Sequence, residues 1–308
     1  MILLFLFLIA LLFTLFAIYR MAFYSRARGR VENMYDIPAS PQYQPQRERM
    51  RRLIDDFAAI PFESVEITSR DGLPLRARYY HTADHAPLDI LVHGYRGSAI
   101  RDFCGGAQIG RSFGHNLLLV DQRAHGASGG TTITIGVRER FDVLDWIAYA
   151  LKRFGPDVSI GLYGVSMGAA TVLMAAGLDL PENVRGVVAD CPYSAPEAIN
   201  RKVAGEDMHL PASLAMPLVR LSARLIGRFS LREASAVEAV KRAKVPILII
   251  HGEDDRFVSC GMSREIRAAN PDCVQLETFP HAGHGLSYIV DPGRYRRTVI
   301  GFEKKILR

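Results

Sequence analysis

The chain has 308 residues, of which 49% are hydrophobic and 23% are charged, and its formal net charge is +6. This size and balance are typical of one large globular domain with an additional apolar segment. The positive charge is concentrated between Arg20 and Arg52, a stretch that contains eight arginines and only three acidic residues. The remainder of the chain is nearly neutral, which excludes the broad basic surface that a nucleic-acid-binding domain needs.

The apolar segment is at the start of the chain. Residues 2–18 contain sixteen apolar residues and one threonine, and with Tyr19 they are just long enough to cross a bilayer as a helix. A buried core helix would have a polar face, and a cleaved signal peptide usually has a basic residue before the apolar run and small residues after it. We therefore predict a single transmembrane anchor over 1–19, with a cleaved signal as the alternative.

Residues 20–59 are predicted to be a basic juxtamembrane linker that ends in a short helix at 46–58. Because the arginines cluster after the span, we expect the rest of the protein to face the cytoplasm.

Strands and helices then alternate along residues 60–308, except in a helical stretch without strands at about 194–244. Alternation of this kind predicts an α/β domain with a mostly parallel sheet, helices on both faces, and a helical cap inserted between two core strands. The predicted strands are 64–82 (an antiparallel pair with its turn at Asp71-Gly72), 87–94, 115–121, a strand ending at Gly164, 184–192, 245–255 and 274–285. The predicted helices include 98–112, 137–154, the segment after Ser166, and a last helix that carries Tyr295, Val299, Phe302 and Ile306.

The sequence "GVSMG" at 164–168 places Ser166 between a predicted strand and a predicted helix, in the pattern G-x-S-x-G. The pattern alone is a weak signal, because glycine is frequent in this chain. A serine hydroxyl also needs a histidine to take its proton and a carboxylate to orient that histidine. The backbone N–H of Met167, at the start of the helix, is positioned to stabilise an oxyanion.

Candidates for both partners follow later strands, at the sheet edge where ligand sites of such folds lie. The segment "HGEDDRFVS" supplies Glu253, Asp254 and Asp255, and "PHAGHG" supplies His281 and His284. A second oxyanion donor should come from the loop after "LVHG", where the backbone N–H of Tyr95 is suitably placed.

Taken together, five segments resemble the motifs of the serine α/β-hydrolases: "HGYRGS", "DQRAHGASGG", "GVSMG", "HGEDDRFV" and "AGHG". They occur in the family's order and cover roughly 60–308. The resemblance implies an α/β-hydrolase fold, with Asp255 as the acid and His284 as the base, and is strongest to single-span, membrane-anchored, esterase-like hydrolases. One departure is Ala124, where glycine is usual.

The expected function is hydrolysis of carboxylic esters or thioesters by a Ser-His-Asp triad, on a small-molecule or lipid acyl substrate. An amidase or peptidase with the same triad, and a catalytically idle membrane-tethered binding module, remain alternatives. The chain has no dinucleotide motif and no cysteine spacing suited to zinc, so we expect neither a cofactor nor a metal. His93 and His125 are expected to be structural, and Cys260 to be a bystander.

The predicted cap contains one amphipathic stretch, 211–228. Its leucines recur at helical spacing and are expected to pack on the core, while its arginines face solvent. The alternative is that this helix lies against anionic lipid. Pro217 is expected to break or kink it. The leucines are Leu214, Leu218, Leu221 and Leu225, and the arginines are Arg220, Arg224 and Arg228.

Overall fold

The computed structural model describes residues 1–25 and 34–306 of the chain. Its centre is one eight-stranded sheet with the strand order β1-β2-β4-β3-β5-β6-β7-β8. The strands are β1 Glu63–Thr68, β2 Pro74–Tyr80, β3 Leu88–Val92, β4 Asn116–Val120, β5 Ile160–Val165, β6 Val184–Asp190, β7 Ile247–Gly252 and β8 Val274–Phe279.

Only β2 runs against its neighbours, pairing antiparallel with both β1 and β4. The pairs from β4 to β8 are all parallel, so the carboxyl ends of β3, β5, β6, β7 and β8 meet at one edge of the sheet. The predicted mostly parallel sheet is confirmed, and so is the predicted turn between β1 and β2, where Gly72 has a φ of 84°.

Helices cover both faces of the sheet. Apolar residues of α5, α6, α9 and α10 form one core cluster with the sheet, and those of α2, α3, α4 and α12 lie against the opposite face. The predicted helix at 98–112 is two short helices, because Gly105 and Gly106 interrupt it. The helices are α1 Ile2–Ala22, α2 Arg47–Ala58, α3 Ala99–Phe103, α4 Ala107–Ser112, α5 Glu139–Phe154, α6 Met167–Ala176, α7 Pro196–Lys202, α8 Ala212–Leu225, α9 Ala236–Val240, α10 Cys260–Ala269, α11 Ser287–Val290 and α12 Pro292–Ile306.

The cap consists of α7, a π-helical turn over Val203–Asp207, α8 and α9. The helix α8 continues through Pro217, so the expected break at this residue is absent. A proline there removes one backbone donor, and the carbonyl left without it belongs to Ser213, which is exposed to solvent.

The expectation that the leucines of α8 pack on the core is wrong for three of the four. The helix instead buries a face of smaller and more flexible side chains, and Arg220 on another face pairs with Glu197 at 3.5 Å. Leu214, Leu221 and Leu225 are 72%, 37% and 58% exposed, whereas Met216, Ser222 and Ala223 are buried.

The N-terminal helix α1 has two different environments along its length. Its first twelve residues are mostly exposed, whereas Leu15 and Tyr19 are buried, as is Phe23 just after the helix. The helix is long and apolar enough to cross a membrane, a property that signal sequences share. The hydroxyl of Ser222 in α8 donates to the Leu15 carbonyl at 2.8 Å, so the second half of α1 packs on the cap.

Candidate active site

Ser166 occupies a strained turn between β5 and α6. Its φ is 55° and its ψ is −113°, values that a non-glycine residue rarely adopts. The strand and the helix are too close here for larger residues: a Cβ on Gly168 would lie 1.8 Å from the Val92 carbonyl oxygen, and one on Gly164 would lie 2.4 Å from Gly168. The glycines of G-x-S-x-G therefore permit the tight turn that presents the Ser166 hydroxyl at the sheet edge.

His284 and Asp255 complete a hydrogen-bonded chain with this serine. The distance from His284 Nε2 to Ser166 Oγ is 2.8 Å, and that from His284 Nδ1 to Asp255 Oδ2 is 2.7 Å. All three side chains follow parallel strands, Ser166 after β5, Asp255 after β7 and His284 after β8. The structure thus brings together the three residues that the sequence singled out.

The other acidic and histidine candidates lie outside this chain of contacts. The Asp254 and His281 side chains are 63% and 90% exposed and face each other at 3.8 Å. Glu253 accepts a hydrogen bond from Thr278 at 2.6 Å, also at the surface. Among these candidates, only Asp255 is hydrogen-bonded to His284, and only His284 is hydrogen-bonded to Ser166.

Asp255 is held as a carboxylate by more groups than the sequence suggested. One oxygen accepts the backbone N–H groups of Phe257 and Val258 at 2.9 and 2.8 Å. The other lies 3.3 Å from Nε2 of the fully buried His251. Burial alone disfavours the charge, but His284 and His251 together keep the pKa of Asp255 below its ordinary value. His251 is the first residue of the "HGEDDRFV" motif, but the motif alone does not indicate that its side chain supports Asp255.

The two predicted oxyanion donors are both available for a ligand. Within residues 1–25 and 34–306, neither the Tyr95 N–H nor the Met167 N–H donates to a protein acceptor. Both residues line the same cavity as Ser166. The Tyr95 hydroxyl donates to the Ala22 carbonyl of α1 at 3.0 Å, which fixes the loop that carries the N–H group.

His93 and His125 join the loops after β3 and β4, as the sequence suggested. Nε2 of His93 accepts the Gln122 N–H at 3.1 Å, and Nε2 of His125 accepts the Arg96 N–H at 2.9 Å. Burial lowers the pKa of His125 to about 3, so the ring is neutral and able to accept. Ala124, the departure from the family motif, has a φ of 61°, which explains why glycine is usual at that position.

Residues from the predicted linker form part of the site, and sequence patterns gave no signal for them. The backbone N–H of His284 donates to Gln42 Oε1 at 3.0 Å, and the Tyr43 hydroxyl donates to the His284 carbonyl at 2.7 Å. Both backbone groups of His284 are therefore bonded to a segment more than 240 residues earlier in the chain. Within 20–59, residues 26–33 lie outside the described residues, and with them Arg26, Arg28 and Arg30.

Cys191 is a buried thiol directly beside the triad, and no sequence pattern indicates this position. Its sulfur, a carboxylate oxygen of Asp255 and a ring nitrogen of His284 all lie within 4.8 Å of one another. These are atoms of metal-ligating type, but Asp255 and His284 already bind each other. Burial raises the pKa of the thiol, so Cys191 stays protonated at neutral pH and adds no charge to the triad.

Two cavities meet at Ser166 and share Tyr95 and Phe257 in their walls. The first, of about 330 Å³, is bounded by Gln42 and Tyr43, by the loop after β3, and by His284. The second, of about 450 Å³, lies between α1, the cap and Met167. The site therefore has room for a ligand on both sides of the serine.

Comparison with known proteins agrees with this architecture. A family model described as the alpha/beta hydrolase fold matches residues 90–217. The protein YqkD of Bacillus subtilis is 27% identical over 250 residues, which cover 78% of this chain and 81% of YqkD. The thiohydrolase aneE of Aspergillus aculeatus is 31% identical over 136 residues, 42% of each chain. The solved esterase Pf2001 from Pyrococcus furiosus superposes with a TM-score of 0.64 at 23% identity, covering 82% of this chain and 96% of Pf2001.

Proposed function

Because the chain has the α/β-hydrolase fold, as the resemblance of its motifs implied, we propose that it is a serine hydrolase of carboxylic esters or thioesters. One observation carries the proposal: the 2.8 Å and 2.7 Å contacts that join Ser166, His284 and Asp255 at the edge of the sheet. The name of aneE, a thiohydrolase that is 31% identical to this chain over 136 residues, supports keeping thioesters in the proposal.

In the proposed acylation step, Ser166 Oγ attacks the substrate carbonyl carbon while His284 Nε2 takes the hydroxyl proton. Asp255 accepts from Nδ1–H of His284, which keeps Nε2 free to accept a proton and stabilises the imidazolium that forms. The N–H groups of Tyr95 and Met167 stabilise the oxyanion, and the position of Met167 at the start of α6 adds the favourable helix dipole.

The intermediate then collapses, and His284 gives its proton to the departing alcohol or thiol. This leaves an acyl group on Ser166. In the second half of the reaction, water attacks that acyl group while His284 takes a proton from the water, and the carboxylic acid leaves as Ser166 regains its hydrogen. Every proton transfer in the cycle uses the same nitrogen, His284 Nε2.

The proposal is tested with Ser166→Ala and a fluorophosphonate probe on the full chain. We expect the variant to lose at least about 10⁴-fold in kcat for p-nitrophenyl acetate and to escape labelling by the probe, with an unchanged unfolding temperature. A variant that keeps most of its activity would contradict the triad. If the wild-type protein neither turns over esters nor reacts with the probe, the idle binding module becomes the better explanation.

We further propose that α1 is a retained membrane anchor, whose exposed first half enters the bilayer while its second half stays packed on the domain, and that the catalytic domain faces the cytoplasm. Exposed apolar side chains along the first half of α1 support an anchor, since they lack a protein partner among the described residues. The orientation rests on the arginines that follow the span in the sequence.

A further inference from the structure

The second cavity at Ser166 has walls of an unusual origin. Its lining is almost entirely apolar, and part of it comes from the N-terminal helix: Thr14, Ile18, Met21 and Ala22 of α1 all contribute. The cap supplies the facing wall, which includes Ile199, Val203, Ala204, Ala215, Leu218 and Val219. We propose that this cavity binds the acyl chain of a lipid-like ester or thioester, with α1 as one wall of the substrate site. The inference rests on the proposed serine hydrolase function.

The position of His284 assigns the two cavities to the two halves of the substrate. His284 lines the first cavity and is absent from the walls described for the second. The leaving group must receive its proton from His284, so the alcohol or thiol lies in the first cavity. The acyl group then extends the other way, past Met167, into the apolar cavity between α1 and the cap.

The chemistry of the two linings agrees with this assignment. The first cavity contains polar groups, among them Gln42, Tyr43 and an Arg101–Asp102 ion pair of 2.7 Å. Polar side chains are suited to a polar leaving group, such as a headgroup alcohol. An apolar cavity of about 450 Å³ gains free energy by burying methylenes, about 0.8 kcal/mol for each, which is about four-fold in kcat/KM.

The residues at the outer end of the cavity are suited to an acyl chain that enters from lipid. Met208 and Leu210 belong to its lining and are 40% and 44% exposed. In addition, α8 exposes Leu225, and α1 exposes the apolar side chains of its first half. Exposed apolar groups of this kind contact lipid or an acyl chain.

Contacts between α1 and the domain hold this wall in place. Phe23, just past the helix, packs edge-to-face on Phe229 of the cap at 5.2 Å. The Tyr19 hydroxyl lies 2.8 Å from Thr132 Oγ1, and Arg96 donates to the Met21 carbonyl at 2.8 Å. The second half of α1 is thus a fixed part of the site, to which Tyr95 also bonds.

The test measures kcat/KM of the full-length protein in phosphatidylcholine nanodiscs as a function of acyl-chain length. The substrates are p-nitrophenyl esters from acetate to laurate. For the wild-type protein we expect kcat/KM to rise about four-fold per methylene until the cavity is filled. Ala215→Trp places an indole in the cavity and should lower the laurate-to-acetate ratio of kcat/KM at least about 30-fold. Ser213→Trp is the matched control, because Ser213 lies two positions earlier in α8, is exposed and lies outside the lining. It should leave the ratio unchanged.

A second pair of variants tests the wall formed by α1. Ile18→Trp should lower the same ratio, whereas Ala17→Trp, at an exposed neighbouring position, should not. If a thermal melt shows that Ala215→Trp is not folded, this pair alone tests whether the cavity binds the acyl chain. Acetate turnover with a flat chain-length profile, or equal ratios within each pair, would overturn the acyl site while leaving the hydrolase intact. Loss of acetate turnover in the wild-type protein would instead count against the proposed function itself.

Discussion

Tyr43→Phe tests whether the segment before α2 positions His284, the proposed general base. The substitution removes one hydroxyl, which donates to the His284 carbonyl at 2.7 Å, and keeps the buried ring. Burial raises the pKa of Tyr43 far above neutrality, so the wild-type hydroxyl is a donor at every working pH. The variant therefore leaves a buried carbonyl without this partner at any pH used in the assay.

The size of the effect follows from the cost of an unsatisfied buried acceptor, about 1–3 kcal/mol. If the His284 loop shifts so that its carbonyl finds another donor, the same free energy is added to the activation barrier. Each 1.4 kcal/mol of barrier lowers kcat about ten-fold. We expect kcat for p-nitrophenyl acetate to fall about ten-fold, within limits of roughly five-fold and 150-fold, because proton transfer by His284 is misaligned. KM should change less than kcat, because the variant keeps the Tyr43 ring in the wall of the first cavity.

The control is Tyr35→Phe, which removes a hydroxyl from the same segment. Tyr35 is 41% exposed, and its hydroxyl donates to Asp55 at the surface. Steady-state kinetics and thermal melts of both variants separate positioning from stability. A Tyr43→Phe protein with wild-type kcat, whatever its unfolding temperature, would refute the claim that this contact aligns His284.

Three further predictions concern the acid, a buried carboxyl and the topology. Asp255→Asn should lower kcat on the order of 10⁴-fold, because the amide favours the wrong tautomer of His284. Asp254→Asn should leave kcat nearly unchanged. The reverse result would show that Asp254, and not Asp255, is the acid. Glu303 is buried, and burial raises its pKa from 4.5 to about 7, so stability is lost as pH rises through that window. Glu303→Gln should therefore raise the unfolding temperature at pH 8, by an effect worth roughly 3 kcal/mol, and not at pH 5. The control is Glu265→Gln at an exposed position. Equal shifts at both pH values would contradict the explanation by the raised pKa of Glu303. Protease added to intact cells should spare the catalytic domain, and digestion without permeabilisation would reverse the proposed orientation.

The sequence predicted those parts of the molecule that have a local signal. Strand and helix periodicity gave the sheet, and the topology of a parallel sheet explains why Ser166, Asp255 and His284 converge: each follows a strand whose carboxyl end lies at one edge. Gln42 and Tyr43 escaped detection because their contacts with His284 span more than 240 residues and leave no periodicity behind.

The leucines of α8 show a different limit of pattern reasoning. Helical spacing indicated that Leu214, Leu221 and Leu225 share one face, but it could not indicate what covers that face. Met216 and Ala223 are buried in the core cluster instead, and α1 packs on α8 through Leu15. A periodic apolar stripe predicts a buried face only where no second apolar element is available to compete for the same position.

The packing of α1 also bears on the choice between a retained anchor and a cleaved signal peptide. Cleavage after the apolar run would remove Leu15 and Tyr19, and cleavage a few residues later would remove Phe23 as well. Burial of a large apolar side chain contributes about 1.5–3 kcal/mol, so three of them amount to roughly 5–9 kcal/mol, comparable to the whole stability of an ordinary domain. The same cut would take the Ala22 carbonyl from the Tyr95 hydroxyl and open one wall of the cavity beside Ser166. A signal peptide is discarded without consequence for the mature fold, whereas this helix contributes to the core, to the oxyanion loop and to the proposed acyl site. These contributions favour a helix that is kept.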